Sequence, residues 1–216
     1  FEIRGVGIGK TSFKRRINSG LAVGFSFLKT AFENSNFIFN QIDIAKTYTN
    51  DIVLQHERSI YTDVIKVIDI ESNELIDFTT TMHSSKDSYA ISKRDRPLAY
   101  IIKKNNYGFI DKLDDVGVNY VEFERDTMIY SGGYKVVEFN NNFKVYEKMK
   151  MQKVVTSIEY SNNKFSKGDI LISMSQKRSN LIAELLEPEA PNSYVSFGII
   201  KTSLNKQLPI YRIKNF

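Results

Sequence analysis

Few side chains in this sequence stand where chemistry could begin. The chain holds two histidines, His56 and His83, and no cysteine, so a thiolate metal site is excluded. Ser59 and Lys86 stand three residues after those histidines, and His56-Glu57 is not followed by a second histidine at helical spacing. Neither imidazole opens a His-x-x-Glu pair, both read as surface or partly buried residues, and no metal-ligating set is predicted. Gly5-Val6-Gly7-Ile8-Gly9-Lys10-Thr11 ends in the Gly-Lys-Thr of a phosphate-binding loop. The first glycine of that loop falls on Arg4, however, and the buried strand that must precede it has no room. No cofactor-binding residue is predicted. Tyr100, Tyr130, Tyr134 and Tyr194 could form a sugar- or peptide-binding face, because aromatic rings stack at low entropic cost; packing is the commoner use of such rings. That leaves one carboxylate in a distinctive setting: Glu2, in Phe1-Glu2-Ile3-Arg4 ahead of Gly5.

The elements that must position these residues change character along the chain. Phe13, Ile17, Leu21, Gly24, Leu28, Ala31 and Phe32 recur at three- and four-residue steps, which predicts a helix over 11–32 with one face buried against its own domain. Thr11 or Ser12 is the expected N-cap. Asn34-Ser35-Asn36 interrupts it, and a second helix is expected from Phe37 to about Tyr48. The period then shortens to two. Val64–Ile70 and Leu75–Thr79 read as a hairpin around Glu71-Ser72-Asn73-Glu74. The polar stretch from Ser84 to Arg96 reads as a long surface loop or a boundary.

After Pro97 a strand over 98–102, a short helix with Phe109, Ile110 and Leu113 inward, and a strand over 118–123 are expected, with Gly117 ending the helix. Residues 127–160 alternate like antiparallel strands, with Gly132-Gly133 and Asn140-Asn141-Asn142 as turn or bulge positions. Lys167-Gly168-Asp169 is a further turn. A last helix over 179–186 stops where Glu187 precedes Pro188, since proline disfavours helical backbone at the residue before it. The expected fold is α+β: N-terminal helices, then a mostly antiparallel β-rich domain with short helices.

Composition sets the outer limits. The 216 residues are 42% hydrophobic and 25% charged, which is globular. No apolar run reaches the roughly 18 residues of a membrane span. The net charge of +5 is dispersed, with Lys14-Arg15-Arg16 and Lys103-Lys104 as the longest basic clusters, so no nucleic-acid partner is predicted. Without an initiator Met, Phe1 reads as the edge of a fragment or processed product.

Three segments carry a family resemblance. Leu185-Leu186-Glu187-Pro188-Glu189 through Tyr194-Val195-Ser196-Phe197-Gly198 follows a helix, Arg96-Pro97-Leu98-Ala99-Tyr100 opens an apolar strand, and Phe1-Glu2-Ile3-Arg4 precedes a long helix. Together these resemble the C-terminal half of bacterial M14-family zinc carboxypeptidases. The resemblance covers most of the chain and is least distinctive over 52–92; Phe197 stands where that family has Trp, and Gly5 where its vertebrate members have Asp.

It implies that residues 1–50 are the end of a catalytic domain and 51–216 an α+β accessory domain. It also implies that Glu2 is the general base which takes the proton of the attacking, zinc-activated water. The zinc ligands and the arginine that holds the substrate carboxylate would lie upstream, so this chain is expected to bind no zinc and to be inactive alone. Its expected partners are the missing catalytic half or a peptide substrate, and the resemblance implies a periplasmic or secreted setting. The other reading is a stand-alone, non-catalytic peptide- or cell-wall-binding module.

Overall fold

The fold was analysed in a computed structural model that describes residues 9–46 and 50–214. The chain divides into two compact units, residues 1–49 and 50–216. The first holds α1 (Lys10–Glu33) and α2 (Ser35–Lys46). Gly9, not Thr11 or Ser12, occupies the N-cap of α1; its φ of 100° suits glycine, and no side chain caps the helix. The 34–36 break is real: Asn34 ends α1 and its Nδ2 donates to the Thr30 carbonyl at 2.9 Å. The apolar face of α1 is not buried as expected, for Phe13 and Phe32 are 60% and 83% exposed. Among the described residues of this unit only α2 is available to pack against it.

The second unit contains two antiparallel sheets. A two-stranded ribbon pairs β1 (Ile52–Ile68) with β2 (Leu75–Arg94). Its turn is held by Asp69, whose carboxylate accepts from the Ser72 amide at 2.9 Å and hydroxyl at 2.7 Å. The hairpin expected from sequence is present, but it runs much further. Residues 84–94 are strand, not loop, pairing back to Ser59 and Ile52. Their polar composition misled because both faces of this ribbon are largely solvated, so no buried alternation marks it.

The larger sheet has six strands: β3 (Ala99–Ile102), β4 (Val121–Glu122), β5 (Thr127–Tyr146), β6 (Met149–Phe165), β7 (Ile170–Ser173) and β8 (Gln207–Ile213). Their spatial order is β4-β7-β3-β8-β5-β6, every pair antiparallel. The architecture is thus α+β with a β-rich unit. Only Val121 and Glu122 of the expected 118–123 strand pair as strand. Gly132 and Gly133 lie inside β5, not in a turn, and the register against β8 shifts between Gly133 and Lys135, as that against β6 does between Asn140 and Lys144. The β5–β6 turn is Glu147-Lys148, with φ 45° and 69° at the two loop positions.

Central strand β3 is buried on both faces. Tyr100 and Ile102 join the main core with α3 (Ile110–Asp115) and α4 (Ser179–Leu186), while Ala99 and Ile101 join a smaller cluster with Phe165, Tyr211 and Ile213. Phe109, Ile110 and Leu113 point inward as expected, and α4 has the boundaries expected of it.

Candidate functional site

The second unit concentrates its buried charge around one carboxylate. Chain direction puts it there: α4 ends at Leu186, and Glu187 turns to extended backbone (φ −72°, ψ 117°) ahead of Pro188. That turn aims Glu187, fully buried, at the main-core face of the sheet. Tyr100 of β3 and Tyr134 of β5 both donate their hydroxyls to Glu187 Oε1, at 2.5 and 2.8 Å. Arg94, the last residue of β2, donates through Nη1 to Oε2 at 2.5 Å. Its other arm, Nη2, lies 3.2 Å from Glu189 Oε1, and its guanidinium sits 5.5 Å from the Tyr134 ring centre. Glu189 Oε1 in turn accepts from the amide and hydroxyl of Thr156 in β6, each at 2.7 Å.

Arg212 of β8, directly opposite Tyr100 in the register, extends the cluster. It is fully buried, and its Nη2 donates to the Asp95 carbonyl and lies 3.6 Å from the Asp95 carboxylate.

Electrostatics fixes the protonation of these groups. Burial, and then the neighbouring Glu187 charge, push the Tyr100 and Tyr134 phenols well above their ordinary values, so both remain donors. Burial disfavours the Arg94 cation, but the charge and hydrogen bond of Glu187 outweigh it and the Arg94 pKa rises. At Asp95 burial likewise opposes the charge, yet the Lys214 hydrogen bond and the Arg212 charge leave its carboxyl below the usual range. A fully buried carboxylate that already accepts three hydrogen bonds is a poor general base, because no face of it is open to a substrate. The cluster is a fastening. It ties the ribbon's base, three strands of the sheet and the turn after α4 to one point.

Beside it lies a groove of about 330 Å³. His56 and Glu57 of β1, Ile91 of β2, Phe143 and Lys153 of the β5–β6 arm, and Glu189 form much of its wall. Glu57 accepts from the Tyr89 hydroxyl at 3.0 Å, and Lys153 Nζ stands 5.2 Å from the Phe143 ring centre. The hydrogen bond and charge of Glu57 raise the Tyr89 pKa. The wall therefore offers an apolar floor with charges of both signs at its edge.

The sequence candidates are scattered. Glu2, the predicted catalytic residue, lies outside the described residues, as do residues 5–8 of the glycine-rich segment. His56 and His83 sit on the ribbon opposite Ala90 and Ile60. No group of three or more metal-ligating side chains occurs among the described residues, so their donor set does not fit a zinc centre. The four tyrosines do not make a binding face. Tyr100, Tyr134 and Tyr194 are buried, and only Tyr130 is exposed. Sequence reasoning missed the Glu187 cluster, because its partners lie 53, 87 and 93 residues away. The available signal was an acidic residue placed between an apolar helix end and a proline.

Comparison with known proteins bears on what this arrangement belongs to. No protein-family model matches the sequence, and no solved structure gives a significant match. The chain is similar to Carboxypeptidase 2 of Trichophyton equinum, at 30% identity over a 222-residue alignment that covers 99% of this chain and 40% of the relative. Carboxypeptidase 2 of Trichophyton rubrum is 30% identical over 224 residues, again 99% of this chain and 40% of the relative. That of Trichophyton tonsurans is 29% identical over 217 residues, with the same coverage. The chain thus spans about 40% of the length of the curated relatives it matches. The relatives' names agree with the carboxypeptidase resemblance drawn from the sequence. Their origin corrects it in one respect: these relatives are fungal, not bacterial. No helix among the described residues is long and apolar enough to cross a membrane.

Proposed function

We propose that this chain is the C-terminal part of an M14-like zinc metallocarboxypeptidase, a peptide hydrolase acting on C-terminal residues. The observation that carries the reading is similarity along nearly the whole chain to proteins named carboxypeptidase, while covering only 40% of each. Residues 1–50 would complete the catalytic domain, with Glu2 as its general base. Residues 51–216 would be the accessory domain that braces it.

The described residues do not fit a zinc ion, so the metal is assigned to the rest of the enzyme and no step is derived through it. What this chain's residues supply is position. The Glu187 cluster holds the ribbon's base against the sheet and keeps the Tyr100 and Tyr134 hydroxyls pointing inward. The stand-alone binding module gains no support, because three of the four rings proposed for its face are buried.

The test uses the full-length gene product. Release of C-terminal amino acids from peptides should require metal and fall by about a hundredfold or more in Glu2→Gln, the usual scale for a lost general base. Undiminished activity in that variant, or a full-length sequence without a His-x-x-Glu pair upstream, would overturn the reading.

A further inference from the structure

We propose that a hollow of about 220 Å³ on the sheet's β3–β8 side binds a multivalent oxyanion. Its described wall includes three lysines, Lys103, Lys201 and Lys206, with Gln207 and Tyr211, and no acidic residue. None of the three lysines forms an ion pair among the described residues. Elsewhere in the same unit exposed lysines do find acids, as in Lys66–Asp77 at 2.6 Å and Lys164–Asp126 at 2.9 Å. Like charges around one small hollow repel each other, and an anion between them removes that cost.

The setting is built. Lys103 follows β3 directly, and its amide donates to the Pro209 carbonyl at 3.1 Å, which fixes its backbone against β8. Its ammonium lies 5.0 Å from the Tyr211 ring centre and 5.5 Å from that of Phe165. Those rings hold the side chain in place and leave its three donors without an acidic partner. The Lys206 carbonyl accepts from the Val136 amide at 3.0 Å, anchoring the second lysine to β5.

Gly133 makes room for that wall. A Cβ there would stand 2.4 Å from Gln207 Nε2 and 2.9 Å from Tyr211 Cε1. Lysine ammoniums are compact point charges with rotatable donors, suited to oxyanions of two or more charges such as a condensed phosphate or a polycarboxylate. An ordinary chloride would gain little from three centres at once.

Pyrophosphate and citrate, titrated separately into the full chain at constant ionic strength, distinguish the two sources of such an anion. Saturable binding of either at one site, weakened by added NaCl, is the expected result. Binding of pyrophosphate alone assigns a phosphate-type ligand, and binding of citrate alone a carboxylate-type one. Lys201→Gln with Lys206→Gln, both at exposed positions, should weaken binding at least tenfold with an unchanged circular dichroism spectrum. Lys86→Gln with Lys93→Gln removes equal charge from the ribbon and should leave affinity as it was. Failure of both probes to bind, or equal weakening by the two double variants, would overturn the proposal.

Discussion

The ribbon β1–β2 and the pair β5–β6 are built to the same measure, each from one strand of 17 residues and one of 20. Their surroundings differ completely. In β5, residues 131–134 are buried in a row, because β8 pairs on one side and β6 on the other. In β1 only Ile52 and Leu54, at the base, are buried, and Ile70 in the ribbon's turn is 94% exposed. Pairing alone is therefore not what makes a strand part of a core. A third strand and a packed face are, and the ribbon is attached only at its base, where Ile52 and Leu54 enter the main core and Arg94 reaches Glu187.

That contrast can be broken most severely at Arg94. Arg94→Met leaves the Glu187 carboxylate buried without its cation, which should cost about 3–5 kcal/mol in chemical denaturation. Destabilisation below about 1 kcal/mol would show that the ribbon's base is held by something else. A second test uses pH. The folded pKa values of Tyr100 and Tyr134 are raised, so the stability these phenols contribute is fully present below their unfolded value near 10 and is lost as pH rises through the folded values. Each should reduce stability by about 1.4 kcal/mol per pH unit above 10, and Tyr134→Phe should shallow that alkaline slope by one proton.

A third variant, Gly133→Val, places atoms against Gln207 and Tyr211 and should cost about 1–3 kcal/mol by overpacking. The smallest effect belongs to the ribbon's tip. Ile70→Ser should change stability by no more than about 0.5 kcal/mol, and amides of residues 60–80 should exchange hydrogen far faster than those of 131–136. Equal protection in the two hairpins would remove the distinction between them.

The same contrast explains how much could be read from the sequence. Helix α4 was legible residue for residue, because an apolar stripe at helical spacing ends against Pro188. Strand β3 was legible because it is apolar throughout, as a strand covered on both faces must be. Residues 84–94 were not, since a strand solvated on both faces carries no alternation and reads as loop. The β5–β6 turn was sought at asparagines and glycines, yet it falls on Glu147-Lys148, where the pairing of Tyr146 with Met149 imposes positive φ on residues that seldom choose it. Of the charged cluster, the sequence showed the Glu-Pro step but not its partners. Long-range hydrogen bonds leave no local pattern, and Arg94 lay within the stretch read as loop.

The position of β8 has a consequence for how this unit comes together. The strand lies between β3 and β5, so the sheet consists of two pieces, β4-β7-β3 and β5-β6, that share no ladder until residues 207–213 arrive. A nascent chain would carry both pieces unjoined from the completion of β7 at Ser173 until Gln207–Ile213 emerges, and a stop codon between them would leave the pieces so. Closure from such distant segments is entropically slow, which makes the seam between β3 and β5 the place where assembly of this unit waits.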